Sequence, residues 1–173
     1  STVMGRLARR LQGGVIGIAL GGGAALGIAH IGVLQVLERE GIPIDVLAGT
    51  SMGSIVAVGY ATGISADEMV EIALSTGRDW RKLASLVDLN PLHSGILSGD
   101  RMQAILSPFL GDLTDFEQLT LPCRTVACDI DSGERIEWCD GALIDAARAS
   151  SAIPIIVPPC ASARTSPSVA SIR

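Results

Sequence analysis

Histidine is nearly missing from this chain: His30 and His93 are the only two in 173 residues. A metal centre built on imidazole has little to draw on, and His30 lies in a helical stretch with no acidic cluster beside it. A Ser-His-acid triad is equally short of its base. His30 precedes the serine singled out below and His93 falls in a Pro-Leu-His-Ser loop, so neither follows the hydrolase order of nucleophile, acid and histidine. The four cysteines include no CxxC pair, and with no secretory signal in view they read as free thiols. Cys123 and Cys128 lie on one expected strand an odd number of residues apart, which points them to opposite faces and away from a shared metal. Excess positive charge is lacking too. Thirteen basic against eighteen acidic residues leave a net charge of −5, with no general attraction for nucleic acid or anionic lipid. Neither a metal nor a cofactor is expected.

A plain membrane-spanning run is also absent. Leu11–Leu37 and Val46–Ala66 carry no charge and are long enough to cross a bilayer. The first holds eight glycines and His30, and the second holds a turn motif around Ser51. Both break more naturally into strand plus helix than into one spanning helix. No basic region leads into an apolar run and a small-residue cleavage site, so no signal peptide is expected. The cytoplasm is the expected location, with peripheral contact at a membrane left open. Only Arg6-Leu7-Ala8-Arg9-Arg10 is locally basic, and it reads either as a frayed, solvated terminus or as a contact with a membrane surface.

What the chain does have, at 48% hydrophobic content, is enough apolar residues for one core and a dense series of elements from Val15 to Gly63. Val15–Leu20 predicts a strand, Gly21-Gly22-Gly23 a turn, and Ala24–Glu40 a helix with Ile28, Ile31, Val33, Leu34 and Leu37 on its apolar side. Gly41 and Pro43 stop that helix. Val46-Leu47-Ala48 fits a buried parallel strand, and Ile55-Val56-Ala57-Val58 a buried helix. Between them stands Gly49-Thr50-Ser51-Met52-Gly53. A nucleophilic serine at the top of a sheet needs a turn so sharp that flanking side chains would collide, and glycines at 49 and 53 remove the collision. Ser51 is the candidate nucleophile. A serine hydroxyl is a weak nucleophile at neutral pH, so it also needs a base and donors aimed at the developing oxyanion. The glycine turn supplies such donors, because a helix N-terminus leaves N–H groups unpaired with the dipole favouring negative charge.

Ala19-Leu20-Gly21-Gly22-Gly23-Ala24-Ala25-Leu26-Gly27-Ile28-Ala29-His30-Ile31-Gly32-Val33-Leu34, followed by Gly49-Thr50-Ser51-Met52-Gly53, resembles the patatin-like phospholipase family. Ala149-Ser150-Ser151-Ala152-Ile153-Pro154 is similar to that family's segment leading to its catalytic aspartate. The resemblance covers about residues 15–159. It implies an α/β fold with a mainly parallel sheet sandwiched by helices. It further implies a serine hydrolase that cleaves the acyl esters of lipids or lysophospholipids with a Ser-Asp dyad and no cofactor. Ser51 takes the nucleophile position, Gly22, Gly23 and Ala24 the oxyanion positions, and Gly49 and Gly53 flank the elbow. Two departures stand out. Ala24 replaces a third glycine, and Leu26 replaces an arginine or lysine.

After the elbow, Ser65-Ala66-Asp67-Glu68 has the form of a capping box opening a helix through Met69, which is expected in the core. Leu89–Gly99 reads as a loop, either an ordinary connection or a lid or acyl groove. Asp100–Leu110 predicts an amphipathic helix stopped by Gly111, and Thr114-Asp115-Phe116-Glu117 a second capping box. Arg124–Ile130 and Arg135–Trp138 predict a hairpin at a sheet edge, with Asp129 either orienting the site or receiving N–H groups at the turn. Asp140-Gly141-Ala142 matches the family's Asp-Gly-[Gly/Ala] string but precedes the Ser-Ala-Ile-Pro block, so Asp140 is expected to cap the last helix, Ala142–Ser150. Residues 160–173 read as a disordered tail where the family would place its aspartate, and no acidic residue follows Asp145. The expected division is an N-terminal basic segment 1–14, a hydrolase domain 15–159 incomplete at its C-terminal end, and the tail 160–173.

Two rival functions remain. A catalytically impaired homologue would bind lipid or a protein partner. A dinucleotide-binding module would use the glycine turn, although strict G-x-G-x-x-G fails at Leu26 or Ala24 and Asp45 stands before its strand, not at the carboxyl end.

Overall fold

The computed structural model describes residues 3–78 and 106–152. The segment Leu89–Gly99, the first half of the helix expected at Asp100–Leu110, His93, Cys160 and the 160–173 tail lie outside the described residues. Among the described residues, four strands form one sheet in the order β1 (Gly17–Leu20), β2 (Val46–Thr50), β3 (Cys123–Cys128), β4 (Arg135–Trp138). The first three are parallel neighbours, and β4 returns antiparallel beside β3 as the hairpin pattern predicts. Parallel strands need helical crossovers, and α2 (Ala29–Arg39) carries the chain from β1 to β2. α3 (Met52–Ala61) follows β2 directly, α4 (Ala66–Arg78) and α5 (Leu143–Ser151) come later in the chain, and α1 (Val3–Leu11) precedes the sheet. The chain is thus α/β with a mostly parallel sheet.

α3 is the central packing element. Its stretch Gly53–Gly59 is buried on every side, as a helix apolar all round must be. Its Val58 and, from other elements, Leu34, Leu47, Met69, Leu106 and Leu143 are fully buried, and each such side chain contributes about 1.5–3 kcal/mol by leaving water. Met69 is therefore core, as its position on α4 predicts. The capping box that opens α4 forms, with the Ser65 amide donating to Glu68 Oε2 at 2.8 Å and the Glu68 amide to Ser65 Oγ at 3.2 Å.

Several expectations are corrected in detail. The helix expected over Ala24–Glu40 begins as a tight 3₁₀ turn, Ala24–Ile28, before α2 proper. Val33 is 51% exposed, because it stands about 200° round the helix from buried Ile31. The second capping box is shifted by one residue: Asp115 is the N-cap and Gln118, not Glu117, reaches back to its amide at 3.0 Å. Asp140 does not cap α5. Ala142 holds that position without a side-chain cap, and the Leu143 amide is satisfied by the Thr114 carbonyl at 2.9 Å. Asp129 receives the amides of Ser132 and Asp131 at 3.0 and 2.9 Å, so it organises the hairpin, and those donors hold its carboxyl below the usual range.

The basic N-terminal stretch is an ordered helix where a frayed end was one expectation. Arg9 makes a bidentate ion pair with Asp45, whose side chain is only 1% exposed and also accepts from the Ile16 amide at 3.0 Å. Arg6 donates to the Thr120 carbonyl at 3.0 Å. The Arg9 guanidinium lowers the Asp45 carboxyl to about 2, the Ile16 amide helping against the opposing cost of burial. Because this pKa is depressed, the associated stability is present above the ordinary carboxylate value of about 4 and is lost as pH falls through 2. The expected result is a thermal stability that declines by about 2 kcal/mol more across this window in the native protein than in Asp45→Asn. Equal slopes for the two proteins in a melting series from pH 5 to pH 2 would refute the role given to the pair.

Candidate active site

Ser51 lies between the last residue of β2 and the first of α3, with φ +53° and ψ −127°. An L-residue held there stores roughly 1–3 kcal/mol of backbone strain, which persists only if the surroundings impose it. They do. A Cβ at Gly49 would overlap the Gly53 carbonyl and lie 2.5 Å from Ser54 Cα. One at Gly53 would overlap the Leu20 carbonyl and lie 2.5 Å from the Gly21 oxygen. The chain therefore passes from strand to buried helix in one residue, against the carboxyl end of β1, and only glycine fits on either side.

The glycine turn is stacked on this elbow. A Cβ at Gly22 would be 3.4 Å from Ser51 Cβ, and one at Gly27 would be 2.6 Å from Met52 Cγ. Gly23 precedes the 3₁₀ turn, and its carbonyl accepts from the Leu26 amide at 3.0 Å. Ala24 has φ +47°, a left-handed value that glycine adopts without penalty. Alanine is thus strained at the position where the resembled family carries its third glycine. Leu26, standing where that family has a cation, is 83% exposed. Ser51, Gly22, Gly23, Ala24, Gly49 and Gly53, six residues separated in sequence, share one place at the carboxyl ends of β1 and β2. The N-terminus of α3 opens there and favours negative charge.

Two contributors escape sequence reasoning. His30 Nε2 is 2.9 Å from the Gly21 carbonyl and donates to it, bracing the turn from the first residues of α2. The Ser51 amide donates to Ser150 Oγ at 2.9 Å, and that hydroxyl donates to the Val126 carbonyl at 2.6 Å. Thr50 Oγ1 donates to the same carbonyl at 3.1 Å. Only the position of His30 one turn past Gly27 hints at the first of these. Asp45, the acid a ribose contact would need, is buried at the opposite, amino end of β2 and paired with Arg9, which removes the main support for a dinucleotide site. Cys123 is buried, its thiol pushed up to about 12 by burial, while Cys128 at the other end of β3 is exposed. Among the described residues, no group of three or more His, Cys, Asp or Glu side chains is placed to hold a metal ion.

The family model for patatin-like phospholipases matches residues 18–163. The chain belongs to the patatin-like phospholipase family. The match spans the glycine turn, the elbow and the Ser150 segment. Among its relatives, an uncharacterised NTE family protein of Mycobacterium tuberculosis is 34% identical over 157 residues, which is 90% of this chain and 26% of that protein. Patatin-like phospholipase domain-containing protein 6 of Homo sapiens is 35% identical over 159 residues, 89% of this chain and 11% of that one. The chain therefore spans about a quarter or less of these relatives. In fold it is similar to the type III effector protein ExoU, with a TM-score of 0.53 at 19% identity over 81% of this chain and 39% of ExoU. Lipid hydrolysis is the family-level activity that goes with this membership.

Proposed function

We propose that this patatin-like domain cleaves acyl esters of phospholipids or lysophospholipids through Ser51, with the amides of Gly22, Gly23 and Ala24 receiving the oxyanion. The observation that carries the reading is the strained Ser51 backbone at a glycine-flanked elbow pressed against Gly22. Ser51 Oγ attacks the ester carbonyl while its proton passes to a carboxylate; the carbonyl oxygen becomes the oxyanion facing the turn. Collapse of that intermediate expels the alcohol, which takes the proton, and water then releases the fatty acid from the acyl-serine. In the resembled family the proton acceptor is an aspartate after the Ser-Ala-Ile-Pro block, a position outside the described residues.

Short p-nitrophenyl esters test this. Hydrolysis is expected to be slow in the 173-residue chain, which has no acidic residue after Asp145, and unchanged by EDTA. Replacing residues 160–173 by an Asp-Gly-Gly strand is expected to restore turnover through that aspartate. Rapid turnover in the unaltered chain that disappears in Asp140→Asn, with circular dichroism unchanged, would instead make Asp140 the base. The strained Ala24, at φ +47° where the resembled family carries glycine, favours the second reading, an impaired homologue that binds lipid or a partner. That reading forecasts ester binding without release of p-nitrophenol even after the graft.

Contact with a lipid surface fits α1. Arg9 and Arg6 tie it to the body, while Val3, Met4, Leu7 and Leu11 on one side are 47–80% exposed. Such a helix lies in a membrane interface rather than across it, and no helix among the described residues is long and apolar enough to cross a membrane. Leu7→Asp/Leu11→Asp is expected to abolish co-sedimentation with phosphatidylglycerol-containing vesicles. Undiminished sedimentation of the double variant would remove α1 from the contact.

A further inference from the structure

The geometry points to Ser150 as the residue that positions the nucleophile, a role that rests on reading Ser51 as the attacking group. Ser51 is the N-cap of α3, so its amide is among the donors that a helix start leaves without an intrahelical acceptor. At φ +53° the residue is also held in a conformation that only surrounding contacts can maintain. Ser150 Oγ supplies the missing acceptor at 2.9 Å from a helix 99 residues later. The direction of that bond is unambiguous. The one hydroxyl proton of Ser150 is committed to the Val126 carbonyl at 2.6 Å, so a lone pair faces the Ser51 amide.

A serine within a helix ordinarily bonds back to a carbonyl of its own preceding turn. Ser150 instead reaches out to β3 and the elbow. The Val126 carbonyl also takes Thr50 Oγ1 at 3.1 Å, so β2, β3, α5 and the elbow meet at one carbonyl and one hydroxyl. This clamp fixes the peptide plane before Ser51 and with it the line along which Oγ approaches an ester. Ser150 touches no substrate in this arrangement; it acts through the Ser51 backbone. The hydroxyl at 150 is therefore a requirement of the site, not only of the packing of α5.

The test is fluorophosphonate labelling followed by intact mass, separating the inactivation rate constant from the inhibitor affinity. Ser150→Ala is expected to lower the rate constant roughly ten- to hundredfold, the scale on which a small misplacement of a reacting group acts, with affinity little changed. Ser150→Thr, which keeps the hydroxyl, is expected to recover most of the rate. A Ser150→Ala protein that melts earlier but labels at the native rate would overturn the proposal, since a purely structural role predicts that outcome. Amide hydrogen exchange at Ser51, followed by NMR, decides the same point in the unaltered protein and without any label. Strong protection that is lost in Ser150→Ala supports the clamp, and free-peptide exchange in the native chain overturns it. If the native chain takes no label at Ser51, the nucleophile reading fails, while exchange still reports whether the clamp exists.

Discussion

Replacing Ser51 by alanine is expected to abolish fluorophosphonate labelling and, in the Asp-Gly-Gly graft that restores a base, to lower ester turnover by about 10³-fold or more, with the fold intact. The size follows from what is removed. Among the described residues the hydroxyls beside Ser51 are already engaged: Ser54, which is buried, donates to the Ser51 carbonyl at 2.6 Å, and Ser150 and Thr50 donate to the Val126 carbonyl. What remains is the glycine turn proposed to receive the oxyanion, with no attacking oxygen to generate one. Alanine keeps the φ of +53°, so Ser51→Ala should melt near the native protein. Ser51→Gly should be equally inactive yet more stable by about 1 kcal/mol, since glycine relieves the strain at some cost in chain entropy. An inactive Ser51→Ala that has also lost its melting transition would assign the residue to the fold and not to the chemistry.

The second large effect is steric. Gly53→Ala is expected to cost about 3 kcal/mol or more, because its Cβ would overlap the Leu20 carbonyl and meet the Gly21 oxygen at 2.5 Å, and backbone cannot yield as a flexible side chain can. The two carbonyls belong to the end of β1 and the start of the glycine turn, so accommodation would part the turn from the elbow and remove activity as well. Gly32→Ala is the control. It lies at an exposed position of α2 with no neighbouring atom within 4 Å of the added Cβ, and it should gain about 0.5–1 kcal/mol through helix propensity. Denaturant melts of both variants check this. Similar stabilities would mean that the close approach at Gly53 is not real.

The elbow was legible in the sequence because its geometry leaves so little choice: an apolar strand, a buried helix and a one-residue turn demand glycine at 49 and 53. The glycine turn was legible for the same reason, and so were the first three strands and the hairpin. What escaped reading depends on long-range encounters. Arg9 and Asp45 are 36 residues apart, and nothing in Arg6-Leu7-Ala8-Arg9-Arg10 says which arginine will meet a buried carboxylate. Ser150 and Ser51 are 99 apart and carry the same plain hydroxyl as their neighbours. At 114–118 the local code is degenerate. Thr114 and Asp115 can both cap, Glu117 and Gln118 can both reach back, and the pairing of Asp115 with Ala142 selects the second of each. That same pairing brings the Thr114 carbonyl to the Leu143 amide, so Asp140 is not the cap that its place before Gly141 predicts.

Ser51, and no other serine, is proposed as the nucleophile of this patatin-like lipid hydrolase site. Peptide mapping of the chain after exposure to a fluorophosphonate tests it most directly. The account predicts a single stoichiometric adduct on the peptide containing Gly49-Thr50-Ser51-Met52-Gly53, absent from Ser51→Ala. An adduct on any other serine, or equal labelling of Ser51→Ala, would contradict it.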